Sequence, residues 1–172
     1  TTIEIVNPNH PPVAEAGLDQ TVYHNQLVTL DGSGSSDPDG NPITYQWSLT
    51  VPTGRLSTLT NPTSVNPTFT PDIPGEYAAQ LIVTDAAGAA SDPDTVKVTA
   101  LNRDPVANAG GAYQANEGTA VTFNAGGSSD PDGDTLTYQW DLDNDGIFES
   151  AGQMVSKTWG DDYTGPVTLK VT

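Results

Sequence analysis

Residues 35–47 read Ser35-Ser36-Asp37-Pro38-Asp39-Gly40-Asn41-Pro42-Ile43-Thr44-Tyr45-Gln46-Trp47, and residues 128–140 read Ser128-Ser129-Asp130-Pro131-Asp132-Gly133-Asp134-Thr135-Leu136-Thr137-Tyr138-Gln139-Trp140. An acidic turn followed by an alternating segment that reaches a Trp therefore occurs twice, offset by 93 residues. Outward from it, Pro12-Val13-Ala14 returns as Pro105-Val106-Ala107 and Ala16-Gly17 as Ala109-Gly110, at the same offset and without a gap. So long a period, with an aromatic core in each copy, marks tandem globular domains rather than a thin solenoid.

Within each copy the apolar residues alternate with period two, the pattern of half-buried strands. Ile43, Tyr45 and Trp47 share one face, with Thr44, Gln46 and Ser48 on the other; Leu136, Tyr138 and Trp140 repeat this. Val28 and Leu30 answer to Val121 and Phe123, while Tyr77, Ala79, Leu81 and Val83 answer to the closing Val167, Leu169 and Val171. With 17 Gly and 14 Pro, no window holds helical spacing for three turns. The expected fold is all-β: two tandem β-sandwiches, each built of two sheets packed around one Trp.

The 172 residues carry 22 acidic against 5 basic side chains, a formal charge of −17. Such a surface repels a phosphate backbone and argues against nucleic acid as a partner. No apolar run approaches the roughly 20 residues that span a bilayer, so membrane insertion is not expected. Cysteine is absent, which removes disulfides and thiolate metal sites. No signal-peptide pattern opens the sequence, as in a mature form or a piece of something longer.

Asn9-x-x-Pro12-x-Ala14, the Gly34-Ser35-Ser36-Asp37-Pro38-Asp39-Gly40 loop, Tyr45-x-Trp47 and Gly75-x-Tyr77-x-x-x-Leu81-x-Val83-x-Asp85 together resemble the PKD domain. The resemblance implies an immunoglobulin-like sandwich of the kind common in secreted microbial proteins. It covers residues 9–100 as one whole copy and 102–172 as most of a second. The second copy departs at Gly165-Pro166, where the first has Gly75-Glu76-Tyr77 and the family its Tyr. The organisation expected is a leading strand over 1–8, one domain over 9–101, and a second over 102–172 that lacks its last strand.

The same resemblance implies Ca²⁺ at Asn9, Asp37, Asp39 and Asp85 in the first copy. Its counterparts in the second are Asn102, Asp130 and Asp132, and a fourth ligand would follow Thr172. Such a site would stiffen an array by tying linker to loop. Turn chemistry alone also accounts for Asp-Pro-Asp-Gly, since Asp caps its own backbone, Pro fixes φ and Gly accepts positive φ. Both readings are open from the sequence. A second Ca²⁺ candidate is read from the residues themselves: Asp141, Asp143 and Asp145, followed by Gly146, alternate like the first half of an EF-hand loop. Ile147 offers a carbonyl and Glu149 a later carboxylate, but position twelve is Gly152 and the flanks read as strands. A solvated acidic turn is the competing account.

At the N-terminus, Thr2-Ile3-Glu4-Ile5-Val6 falls in the 93-residue register of Thr95-Val96-Lys97-Val98-Thr99, the last strand of the first copy. Ile3 and Ile5 then match Val96 and Val98, and Glu4 takes the outward place of Lys97. Three readings follow: a window of a longer array, a strand donated head-to-tail to the next copy, or a strand folded back within its own chain. An unpaired sheet edge invites another strand, the β-augmentation mode.

The expected role is non-catalytic: a secreted or cell-surface structural or adhesive module that is a filament or array subunit. Its expected partners are copies of itself or adjacent PKD-like domains, and a cell-surface polymer. The alternative is a substrate-docking accessory module of a secreted hydrolase, for polysaccharide or protein. Weaker motifs fall away. His10 and His24 lack zinc-ligand spacing and read as surface or linker residues. Gly32-Ser33-Gly34 lacks the nucleophile-elbow pattern. Asp143 with Glu149 has no cleft to shift a pKa for glycoside hydrolysis. Trp47 and Trp140 read as packing residues, and Trp159, without a counterpart, as an edge cap or the one Trp free to meet a ligand.

Overall fold

A computed structural model describes residues 8–172. It divides into two compact units, Thr1–Asn102 and Arg103–Thr172. The segment 2–6, expected to be a strand, lies outside the described residues.

In the first unit β1 (Gln20–Tyr23), β3 (Ile43–Thr50), β5 (Gly75–Asp85) and β6 (Asp94–Leu101) form one sheet in the order β1-β6-β5-β3. β6 runs antiparallel to β5 and parallel to β1. The facing layer holds β2 (Val28–Thr29) paired with β4 (Thr68–Phe69). The alternation decides which side chains meet between the layers. Tyr77, Ala79, Leu81 and Val83 are all 0 % exposed, and Val96 and Val98 from β6 pack beside them. Trp47, Val28, Leu30 and Phe69 complete this core. Trp47 satisfies its indole N–H on the Ser64 carbonyl at 3.2 Å, so the large ring is buried without an orphaned donor.

The second unit has β7 (Val121–Asn124), β8 (Tyr138–Asp141), β9 (Ser150–Ala151), β10 (Met154–Lys157) and β11 (Thr168–Val171). β10 pairs with β7, and the other sheet has the order β11-β8-β9. Its core is Phe123, Ala125, Trp140 and Leu142. Trp140 is fully buried and donates to the Gly152 carbonyl at 2.9 Å.

Strand register fixes the correspondence of the copies. Tyr45 faces Val83 and Trp47 faces Leu81; Tyr138 faces Val171 and Trp140 faces Leu169. β11 is thus the counterpart of β5, and Gly165 stands where Tyr77 stands in the first unit. Among the described residues the second unit has no counterpart of β6. The fold is all-β, two tandem immunoglobulin-like sandwiches.

Candidate functional site

The two acidic loops are built alike. Asp37 Oδ1 accepts the backbone N–H groups of Asp39 (2.9 Å) and Asn41 (3.0 Å), and Gly40 closes the turn at φ 76°. Asp130 Oδ1 does the same for Asp132 (2.7 Å) and Asp134 (3.2 Å), with Gly133 at φ 82°. Turn chemistry is therefore present in both copies, as the Asp-Pro-Asp-Gly motif dictates.

Around the first loop, Asn9 Nδ2 donates to Asp85 Oδ2 at 2.7 Å, and Asn41 Nδ2 donates to Asn9 Oδ1 at 3.3 Å. The Asn9 amide, with the backbone N–H of Ala89, holds the Asp85 carboxyl below the usual carboxylate range. Asp39 is occupied by His10, whose backbone N–H reaches Oδ2 at 2.6 Å and whose ring Nδ1 lies 3.0 Å from Oδ1. That backbone contact, then the ring, lowers the Asp39 pKa. Asp37 Oδ2 has no hydrogen-bond partner among the described residues and is closed off from solvent. A shielded carboxylate oxygen of this kind is costly unless a donor or a cation meets it.

The second loop carries its own cation. Arg103 Nε and Nη2 donate to Asp132 Oδ1 at 2.8 and 2.6 Å, the Arg103 backbone N–H donates to Oδ2 at 2.7 Å, and Nη2 also reaches the Pro131 carbonyl at 2.9 Å. The Asp132 side chain is fully buried under this grip. Asn102 Oδ1 lies 2.9 Å from His24 Nε2. His24 is buried at 1 % exposure, a correction to its reading as a surface or linker residue. It follows β1 directly, where its backbone N–H donates to the Leu101 carbonyl at 2.9 Å and the ring turns inward.

In the hairpin after β8, carboxylate oxygens of Asp141, Asp143 and Glu149 lie within 4.8 Å of one another. Asp145 is engaged elsewhere, its Oδ1 accepting the Ile147 N–H at 2.8 Å. Asp141 is buried because it caps the turn, accepting the N–H groups of Asn144 (2.6 Å) and Gly146 (2.9 Å). Glu149 Oε1 accepts the Leu142 N–H at 2.9 Å. Hairpin geometry, which brings Glu149 back across from Leu142, gathers this trio; the EF-hand spacing alone pointed to Asp145 as well.

The second unit also has an open groove of about 940 Å³ between residues 111–117 and 161–167, floored by Phe123 and Trp140. Trp159 stacks on Tyr163 (5.0 Å between ring centres, 9° between planes) and meets Phe123 edge-on. Its indole Nε1 is shut off from solvent without a partner among the described residues. Trp159 is thus an aromatic cover over part of the core. The phenol missing at Gly165 is supplied from two residues earlier: Tyr163 Oη donates to the Pro166 carbonyl at 2.7 Å, whereas Tyr77 Oη meets the Ile73 carbonyl and Asp72 Oδ1, each at 3.0 Å.

Sandwich topology, paired acidic turns and the Trp of each core define immunoglobulin-type β-sandwich modules. The family model of the PKD domain matches residues 9–100 and again 102–172, and the chain belongs to that family. It is 30 % identical over 139 residues to Chitinase A of Pseudoalteromonas piscicida, covering 78 % of this chain and 16 % of that protein. It is also 30 % identical over 162 residues to the Dyslexia-associated protein KIAA0319-like protein of Mus musculus, covering 88 % of this chain and 15 % of that one. The chain therefore spans less than a fifth of these relatives. Among solved structures it is similar to the PKD domain from KIAA 1837 protein, with a TM-score of 0.44 and 29 % identity over 55 % of this chain and 91 % of that one. Among the described residues no helix is long and apolar enough to cross a membrane.

Proposed function

We propose that this chain is a non-catalytic, extracellular structural or adhesive module, joined head-to-tail to copies of itself or to adjacent PKD-like domains by strand donation. The observation that carries the reading is the 93-residue register that sets Thr2-Ile3-Glu4-Ile5-Val6 against Thr95-Val96-Lys97-Val98-Thr99, the stretch of β6 that the first unit holds between β1 and β5. Apolar strand surface and unpaired backbone left at an edge favour association with another strand. Its strongly acidic surface keeps such a module soluble at high local concentration. Sedimentation of the intact chain against one lacking residues 1–6, over a concentration series, tests the proposal. Association confined to the intact chain supports it; equal association of both removes it.

Calcium at the first loop belongs to the same reading. The orphaned Asp37 Oδ2, with Asn9, Asp39 and Asp85 nearby in the loop network, fits a hard, oxygen-preferring cation. Bound there, Ca²⁺ would neutralise carboxylates and stiffen the loop. In the second copy Asp130 and Asp132 face a different situation, because the Arg103 guanidinium already neutralises Asp132. Asp141, Asp143 and Glu149 are the place where, among the described residues, three carboxylates bring oxygens within 4.8 Å of one another. Calcium titration followed by thermal melting, with D37N and D143N variants, separates the loops. An unchanged melting temperature in calcium and in chelator overturns the calcium reading.

A second reading, an accessory module that docks a secreted hydrolase on its polymer, draws on the likeness to Chitinase A. Trp47 and Trp140 are buried in the cores, which leaves the half-buried Trp159–Tyr163 stack as its aromatic platform. Retention of the chain on insoluble chitin or cellulose, lost in W159A, would favour this reading over the first.

A further inference from the structure

We infer that the second acidic loop carries its own permanent cation: the Arg103 guanidinium stands where the PKD resemblance implies Ca²⁺, so Asn102, Asp130 and Asp132 take no metal. Calcium at the first loop neither supports nor limits this assignment.

The oxygens that would hold the ion are already committed to N–H groups. Asp132 Oδ1 accepts Arg103 Nε at 2.8 Å and Nη2 at 2.6 Å, and Oδ2 accepts the Arg103 backbone N–H at 2.7 Å. Nη2 also takes the Pro131 carbonyl at 2.9 Å. Asp130 Oδ1 accepts the N–H groups of Asp132 and Asp134. Within the first unit, Asn102 Oδ1 lies 2.9 Å from His24 Nε2. Ca²⁺ needs six to eight oxygens at about 2.3–2.6 Å, and it repels a guanidinium held against the same carboxylate. With Arg103 in place, these residues do not fit the ion.

The first loop has the same frame without that fixed charge. His10 reaches Asp39 through one ring nitrogen and one backbone N–H, and leaves 16 % of the Asp39 side chain exposed against 0 % for Asp132. There Asp37 Oδ2 is shielded without a partner among the described residues, whereas neither oxygen of Asp130 is orphaned in this way. The residue after the entrance Asn thus decides whether the turn is left short of positive charge. A guanidinium keeps its charge at any pH the folded chain meets, and its planar fork suits a carboxylate. Being part of the chain, it also stays when free calcium falls, whereas a bound ion leaves. The second loop is therefore held in one state regardless of calcium, which leaves ion responses to the first loop and to the hairpin of Asp141, Asp143 and Glu149.

The test titrates isotopically labelled full chains with calcium chloride at about pH 8, where a His is neutral, and follows the amides of residues 103 and 130–134. The parent should show no saturable shift there. R103H installs the residue of the first copy; R103Q keeps an extended stem and an N–H donor without the charge, and serves if R103H does not hold its fold. The variant should gain a saturable shift at 130–134, half-complete at about 10⁻⁴–10⁻³ M calcium as in extracellular modules. A saturable shift at 130–134 in the parent overturns the inference, because the ion then binds beside the guanidinium. Silence at 130–134 in both parent and folded variant overturns it too, because the guanidinium then fills no cation's place. Shifts at 37–41 and 85 are read separately in the same spectra, so their failure removes calcium from the first loop without touching the role of Arg103.

Discussion

Arg103 holds Asp132 from two directions, the guanidinium reaching Oδ1 through Nε and Nη2 while its own backbone N–H closes on Oδ2. In the first unit His10 makes the equivalent contact with Asp39, through one ring nitrogen and one backbone N–H. The difference is in burial: the Asp132 side chain is closed off, while that of Asp39 retains some exposure and His10 is more than half-exposed.

Removing the guanidinium therefore strands a buried carboxylate. R103M should destabilise the second unit by about 3 kcal/mol, the cost of breaking a buried pair from one side. The R103M/D132N double variant should recover part of that loss, because no buried charge is left. Urea unfolding of the three chains reads the cycle. A double variant as unstable as R103M would mean that shape, and not charge, is what the pair supplies.

Acid should act first on the unit that carries Asp31, Asp39, Asp72 and Asp85. Hydrogen bonds lower each of these pKa values, led by Ser33 for Asp31, the His10 backbone for Asp39, Ser57 for Asp72 and Asn9 for Asp85. A carboxylate whose folded pKa lies below its unfolded value contributes stability above the unfolded pKa, near 4, and loses it as pH falls through the folded value. Stability should thus be flat from pH 7 to about 5 and decline below about 4. D85N should show a shallower decline than the parent; an identical acid limb would mean that Asp85 contributes nothing to it.

Gly32 is a packing position. A Cβ there would come within 3.1 Å of Trp47 Cζ2 and 3.2 Å of Leu81 Cδ2 and the Val65 carbonyl oxygen. All three belong to or line the first core, so no flexible chain end can give way. G32A should cost about 1–3 kcal/mol by overpacking and lower the first thermal transition while sparing the second. Its counterpart Ala125 already has a Cβ and is fully buried, which shows how the two cores differ in shape.

Period-two alternation and the 93-residue repeat were enough to read the sandwiches, because burying one face of each strand leaves few alternative registers. The structure pairs Trp47 with Leu81 and Trp140 with Leu169, residues that the alternation places on the inward faces of their strands. Side-chain destinations were less legible. His24 sits beside polar neighbours at the end of β1, and nothing in its spacing signals that a ring 78 residues from Asn102 will turn inward to meet it. The acidic motifs announced carboxylates, yet which of them a neighbouring side chain would claim depended on the single residue after the entrance Asn, His10 or Arg103. Glu149 was legible as a later carboxylate of the Asp141–Asp143 loop, but that Asp145 would turn aside to accept the Ile147 N–H was not. Trp159 had no counterpart to compare, so its role as a cover emerged only from its stacking on Tyr163.

The proposed strand donation between copies is open to covalent capture, since the chain contains no cysteine of its own. Ala78 faces Lys97 across β5 and β6, and the corresponding pair in the proposed assembly is Pro166 of one copy and Glu4 of the next. Chains carrying E4C alone and P166C alone, mixed under mild oxidation and run without reductant, should form a disulfide-linked heterodimer. It should exceed that from E4C mixed with a chain carrying A87C in an exposed turn of the first unit. Equal yields from the two mixtures would contradict donation of the leading strand to the second sandwich.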